Sequence, residues 1–242
     1  MVVYGKKVVH ELLRSNHPVE QIIIARESDK QLIRQIKFFA DRRGLQVTFA
    51  NKRDVQKYCG PVLHQGVAAI LTRYLYLTEE ALTIKLQDER YPFILILDQI
   101  QDPQNLGAII RSAEISGVHA LILPRKGSSD ITPTVAKTSA GAVFHLPIYY
   151  CDDIFSTLYL IKNKAIELIG LHPGGEQTIY QTDMRRALAL IIGSEGKGIR
   201  KNVRNLCDYL VTIPQKGKVN SLNASVAAAV TLYEILRQRS FA

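Results

Sequence analysis

Phe93-Ile94-Leu95-Ile96-Leu97-Asp98-Gln99-Ile100-Gln101-Asp102-Pro103-Gln104-Asn105-Leu106-Gly107-Ala108-Ile109-Ile110-Arg111 decides the fold. Residues 93–98 form an apolar run of strand length that ends on an aspartate, the pair Asp102-Pro103 sets a turn, and a helical pattern occupies 105–116. The same unit recurs downstream. Apolar runs at 120–124, 165–171, 187–193 and 209–214 alternate with helical patterns at 132–140, 153–163 and 199–207, and a longer helix is expected over 221–239. Strands that are apolar almost throughout and alternate with helices predict a parallel sheet covered on both faces. Ligands of such sheets bind beyond the carboxyl ends of the strands, so the loops there are where function is sought.

Upstream the rhythm differs. Helical stretches at 6–15 and 29–43, strands at 21–25, 46–50 and 67–72, and a short helix at 51–58 with Asn51 as N-cap predict a small α/β unit over residues 1–75. Residues 76–90 read as a linker with weak helical periodicity at 79–86, and 91–242 as the main domain. The chain carries 31 Lys and Arg against 22 Asp and Glu, and residues 1–75 hold 13 of the former against 6 of the latter. That concentration points to a polyanionic partner, with a solvated basic surface as the alternative. No run reaches the roughly eighteen apolar residues of a membrane span, and residues 1–7 open no signal-peptide pattern, so a cytoplasmic protein is expected. Cys59, Cys151 and Cys207 are scattered without metal-ligand spacing and read as buried thiols.

Three strand-end loops carry polar residues in suggestive patterns. In the first, Asn105 sits where a helix N-cap would, and a capped helix is the simplest explanation. Arg111 stands among Ile109, Ile110, Ala113 and Ile115, a setting that reads as largely buried and calls for an anionic or hydrogen-bonding partner. The second, Gly193-Ser194-Glu195-Gly196-Lys197-Gly198-Ile199-Arg200, allows close approach of backbone to a ligand. It is no P-loop, because Ile199 follows Gly198, and no dinucleotide fingerprint, because Lys201 stands where the third glycine belongs. A nucleotide-binding oxidoreductase is therefore disfavoured. The third runs from Thr212-Ile213-Pro214 to Val219-Asn220-Ser221-Leu222-Asn223-Ala224-Ser225, where Asn220 or Ser221 would cap the last helix. His145 and His172 read as structural.

Together the three loops resemble, in order and spacing, the motifs of the SpoU–TrmH family of RNA 2′-O-ribose methyltransferases. The N-terminal unit, from Tyr4-Gly5 to His64-Gln65-Gly66-Val67, resembles more loosely the ribosomal-protein-like RNA-binding domain of the members that modify a guanosine of 23S ribosomal RNA. The resemblance implies a catalytic α/β domain whose parallel sheet is threaded as a deep trefoil knot, a homodimer, and S-adenosylmethionine as methyl donor with no metal. It implies active-site roles for Asn105, Arg111, Glu195, Ser221 and Asn223, and a donor held largely on backbone at Gly193, Ile213 and Leu222, with Leu171 as a further contact. Ala224 departs from the family, which often has Val there.

The chemistry implied is methyl transfer to a ribose hydroxyl. That hydroxyl is a poor nucleophile, so its proton must leave or its developing charge be stabilised. Arg111 is the group the resemblance offers. A guanidinium holds its proton with a pKa above about 12, so the alternative is that Arg111 grips the adjacent phosphate while Ser221 or a water relays the proton. A transfer-RNA ribose target, and a catalytically silent RNA-binding or ribosome-assembly protein, are the alternatives.

Overall fold

The computed structural model describes residues 1–218 and 221–241. Val219 and Asn220 lie outside the described residues, and with them one of the two expected caps of the last helix. The chain divides into two compact units, Met1–Leu75 with Ile131–His145, and Tyr76–Asp130 with Leu146–Ala242.

The first unit runs β1 (Val2–Tyr4), α1 (Lys6–Arg14), β2 (Val19–Ala25), α2 (Lys30–Arg42), β3 (Val47–Ala50), α3 (Lys52–Cys59) and β4 (Val67–Leu71). Its sheet has the order β1-β4-β2-β3, with β4 antiparallel to both neighbours and β2 parallel to β3. The side chains of Asp29 and Asn51 cap α2 and α3 by accepting from the backbone N–H three residues on, which fixes where each helix starts. Strand β1 was not expected, since three residues are too short to display an alternation.

His17 sits in an aromatic nest of this unit, with ring centroids 4.5 Å from Tyr74 and 5.3 Å from Phe144. Burial, followed by the charges of His145 and Arg43, pushes its pKa from 6.5 down to about 4. Between those values the unfolded chain binds a proton that the folded chain refuses, so stability falls as pH drops below 6.5 and the loss is complete below about 4. The cost is at most roughly 3 kcal/mol at about 1.4 kcal/mol per pKa unit. Urea unfolding at about pH 7 and about pH 5 should show this loss, and His17→Leu should flatten the dependence. An unchanged pH slope in that variant would assign the effect to another group.

The chain continues through α4 (Glu79–Asp88), β5 (Phe93–Asp98), α5 (Pro103–Ile115), β6 (Ala120–Pro124), α6 (Pro133–Thr138), β7 (Ile148–Cys151), α7 (Ile154–Lys162), β8 (Glu167–Leu171), β9 (Gln177–Thr178), β10 (Leu188–Gly193), α8 (Lys201–Arg204), β11 (Tyr209–Thr212) and α9 (Ala224–Phe241). Helix α6 lies in the segment that belongs to the first unit. The second unit is built on a seven-stranded sheet of order β7-β6-β5-β10-β8-β11-β9, parallel at every pairing. All six residues of β5 are buried, as a strand covered on both faces requires. Residues 76–90, read as a linker, hold α4, whose Leu82 and Leu86 join Ile94, Ile96, Ile122 and Ile191 in one apolar cluster.

Two helix starts differ from the sequence reading, and both matter for the site. Helix α5 begins at Pro103 because the Asp102 carboxylate accepts from the backbone N–H of Gln104 (3.0 Å) and of Asn105 (3.3 Å), and Pro103 suits the first helical position. Asn105 is thus released from capping. Helix α9 begins at Ala224, and its cap is Asn223, whose Oδ1 accepts from the backbone N–H of Ser225 (2.9 Å) and Val226 (3.3 Å). Ser221 is not the cap.

Candidate active site

The carboxyl ends of β5, β10, β8 and β11 lie side by side, and Gly193 at the end of β10 pairs in register with Asp98 at the end of β5. After Gly193 the chain folds back on itself. A Cβ on Gly193 would lie 2.0 Å from the carbonyl carbon of Gly198, and Gly196 and Gly198 have φ of +79° and +64°, so all three glycines are needed for this turn. The far end of the loop is anchored by Asp98, which is fully buried. Its carboxylate accepts from the backbone N–H of Arg200 (2.9 Å) and from Arg200 Nε (2.8 Å), with Nη2 2.6 Å away. An aspartate ending an otherwise apolar strand was the one sign of this anchor in the sequence.

Glu195, at the tip of that loop, is held by Asn105, free of capping, and by the amide nitrogen of the capping Asn223. Its Oε1 accepts from Asn105 Nδ2 (3.1 Å), from the backbone N–H of Ala224 (3.2 Å) and from Asn223 Nδ2. Asn223 Nδ2 also donates to Asn105 Oδ1 (3.0 Å), which closes the triangle. The first turns of α5 and α9 therefore converge on one carboxylate, and the positive ends of two helices suit an anionic group there.

Beside Glu195 opens a cavity of about 280 Å³, lined by Leu171, Gly193, Ile213 and Leu222, the four positions expected to hold a donor, and by Ser221 and Glu195. Its walls are largely apolar side chains and backbone from three strand ends. His172, read as structural, also lines it. Nδ1 of that ring accepts from the Gly174 N–H (3.0 Å), Arg204 Nη1 lies 2.8 Å from Nε2, and burial together with the Arg204 charge holds its pKa below the usual range. A second cavity of about 240 Å³, lined by Gln99, Gln101, Asp102 and Asn105, shares Ser194, Glu195, Lys197 and Ala224 with the first.

Arg111 is not part of this constellation. It lines neither cavity, it is exposed, and it forms no hydrogen bond or ion pair with any described residue. The expectation that it is largely buried is overturned: the buried positions of α5 are Leu106, Gly107, Ile109, Ile110 and Ala113, and at about 100° per residue Arg111 falls outside the stripe centred on Leu106, Ile110 and Ala113, as does Ile115, itself 55% exposed. His145 does have a structural partner, with Nε2 2.8 Å from Glu11 Oε2. All three cysteines are free thiols; Cys151 is buried, Cys59 and Cys207 partly so, and burial pushes the Cys151 and Cys207 thiols up to about 11. Among the described residues no group of three His, Cys, Asp or Glu could hold a metal, and no helix is long and apolar enough to cross a membrane.

Comparison with known proteins returns two family matches. The SpoU rRNA Methylase family matches residues 92–233, and the family described as RNA 2′-O ribose methyltransferase substrate binding matches residues 2–77. The chain is 35% identical to a Bacillus subtilis (strain 168) protein named putative TrmH family tRNA/rRNA methyltransferase YacO, covering 98% of this chain and 96% of that one. It is 34% identical to the 23S rRNA (guanosine-2′-O-)-methyltransferase RlmB of Pectobacterium atrosepticum, over 98% of each chain. Among solved structures, the SpoU methyltransferase AviRb from Streptomyces viridochromogenes, in complex with the cofactor AdoMet, covers 99% of this chain and 90% of its own, with a TM-score of 0.83 at 25% identity.

Proposed function

Because the chain belongs to the SpoU rRNA methylase family, we propose that it methylates the ribose 2′-hydroxyl of a guanosine in 23S-type ribosomal RNA. It is an S-adenosylmethionine-dependent RNA 2′-O-ribose methyltransferase. The observation that carries the finer reading is the match over 98% of both chains to a relative named for guanosine methylation in 23S rRNA, a match that takes in the substrate-binding region at 2–77 as well as the catalytic part.

The donor fits the larger cavity. Leu171, Ile213 and Leu222 offer apolar surface to a purine, Gly193 leaves backbone accessible, and the Glu195 carboxylate stands at the wall as a counter-charge for a sulfonium. Bound S-adenosylmethionine would supply a methyl group activated by its positive sulfur. The Asn105–Glu195–Asn223 triangle is fixed before any substrate arrives, so it can orient an acceptor without reorganising. Ser221 Oγ, on the same wall, relays the acceptor's proton by accepting it while passing its own to solvent water, and Arg111 keeps its own proton and steadies the oxygen that loses one.

Since Arg111 is exposed and lines neither cavity of its own chain, we assign this role to the Arg111 of a second copy. The outward face of α5 and α9 carries Ile115, Val226 and Tyr233, which are 55%, 47% and 50% exposed. Pairing two such faces about a two-fold axis covers them and brings each Arg111 to the interface. We assign the homodimer to this face, the trefoil knot to the catalytic unit, ribosomal RNA binding to residues 1–75, and the cytoplasm as the place of action.

The test is transfer of labelled methyl to unmodified ribosomal RNA and to transfer RNA, with nuclease digestion and mass spectrometry of the product. A 2′-O-methylguanosine in the large-subunit RNA is expected. Base methylation would overturn the ribose assignment, a transfer-RNA product the substrate, and no transfer the enzymatic reading.

A further inference from the structure

Gln99 immediately follows β5 and adopts φ +64°, the left-handed region that glycine occupies at far lower cost. A non-glycine residue held there at the rim of a reaction centre marks a side chain kept for use. The surroundings are arranged around that side chain. It runs beside Gly127, where an added Cβ would make tight approaches of 3.0 Å to Gln99 Nε2 and 3.3 Å to its Cγ, and where φ of +85° itself favours glycine. The loop carrying Gly127 is tied to the next residue by the Ser129 N–H donating to the Ile100 carbonyl (2.8 Å), and it presents the exposed cations Arg125 and Lys126.

Gln99 lines the smaller cavity, which shares its Glu195 wall with the donor cavity and reaches Asn105 of the triangle. A nucleotide whose 2′-oxygen meets that triangle would have its base on one side or the other. The donor fills one side. The other is the Gln99 cavity, with Lys197 on its wall and Arg125 and Lys126 on the adjoining loop.

We propose that Gln99 contacts the base of the target nucleotide in this second cavity and selects guanine. The inference rests on the reading that the acceptor is a guanosine ribose. A primary amide offers a donor and an acceptor side by side, the complement of the O6 and N1–H of guanine. Single-stranded RNA bases are read on that edge. On adenine the corresponding positions are reversed to donor and acceptor, so the amide must turn over to engage them.

Three measurements on Gln99→Glu and Gln99→Ala test the proposal: donor affinity by calorimetry, melting temperature, and kcat/KM on a ribosomal RNA fragment carrying guanosine or adenosine at the target. Gln99→Glu keeps the shape and replaces the amide donor by an anionic oxygen that repels O6. Both variants are expected to bind donor within about threefold of the unaltered protein. On the guanosine fragment kcat/KM should fall about 100-fold, the loss of two hydrogen bonds at a desolvated site. The preference for guanosine over adenosine should collapse towards unity. Activity on guanosine within about threefold of the unaltered protein, or a loss that follows donor affinity or melting temperature, would give Gln99 a structural role and overturn the proposal. If the unaltered protein methylates a ribose other than that of guanosine, the reading beneath the proposal fails, and that outcome is visible before any variant is made.

Discussion

Asn223→Ala is expected to cost both stability and nearly all turnover, and two companion variants separate the losses. The side chain does two jobs with its two ends. Oδ1 caps α9 by accepting from the N–H groups of Ser225 and Val226, and Nδ2 donates to Asn105 and Glu195. Loss of a cap costs about 1 kcal/mol. Loss of a preorganised group that orients the reacting centre costs about 100-fold to 1,000-fold in rate. Asn223→Ser keeps a capping oxygen and removes the amide donor, so chemical denaturation should find it within a few tenths of a kcal/mol of the parent, by the same cap scale, while turnover stays low. Asn223→Asp also caps well but sets a second carboxylate against Glu195, and its activity should be the lowest of the three. A serine variant with parental turnover would show that the triangle is scaffolding.

The elements legible in the sequence are those whose pattern is set by burial on both faces. Strand β5 and strand β6 have the bounds that the apolar runs predict, because a parallel strand covered above and below has no polar side to blur its ends. Strands β7 and β9 at the two sheet edges were missed: four and two residues give a periodicity nothing to act on. The grouping of Ile131–His145 with the first unit is likewise a tertiary fact, invisible in local pattern. At the site, Leu171, Gly193, Ile213 and Leu222, which the family resemblance offered as donor contacts, line one cavity, whereas local pattern singled out only the glycine-rich loop, because glycines at a strand exit permit close backbone approach. The caps were misassigned by neighbours competing for one role. Asp102 outcompetes Asn105, and Asn223 takes the place expected for Asn220 or Ser221, so Asn105 was read as an ordinary helix start while the true cap of the last helix went unread. Arg111 was misjudged for another reason. Adjacent isoleucines report that a helix is partly buried, yet the residue directly after them can face the opposite way, and only the full stripe settles which side is inside.

That outward Arg111 carries the last and most discriminating expectation. Arg111→Ala should lower turnover by about 100-fold or more, as loss of a charge-stabilising group does, while donor binding stays near the parental value because the donor cavity does not include it. Glu195→Gln should also be nearly inactive: its remaining oxygen can still accept from the three donors, but the substitution removes the negative charge that strengthens those bonds and that would face a sulfonium in the adjoining cavity. Mixing the two inactive proteins then decides where Arg111 works. If it acts on the partner's site, each mixed dimer contains one complete site: the Arg111→Ala chain contributes its intact Glu195 triangle and the Glu195→Gln chain contributes its arginine. Random exchange makes half of the dimers mixed, with one site of two alive in each, so activity should return to about a quarter of the parental level. If Arg111 served its own chain, no mixed dimer would hold a complete site and the mixture would stay dead. The exposed stripe of α5 favours the first outcome, because an exposed side chain that lines neither cavity of its own chain is placed to serve the site of a copy packed against that stripe.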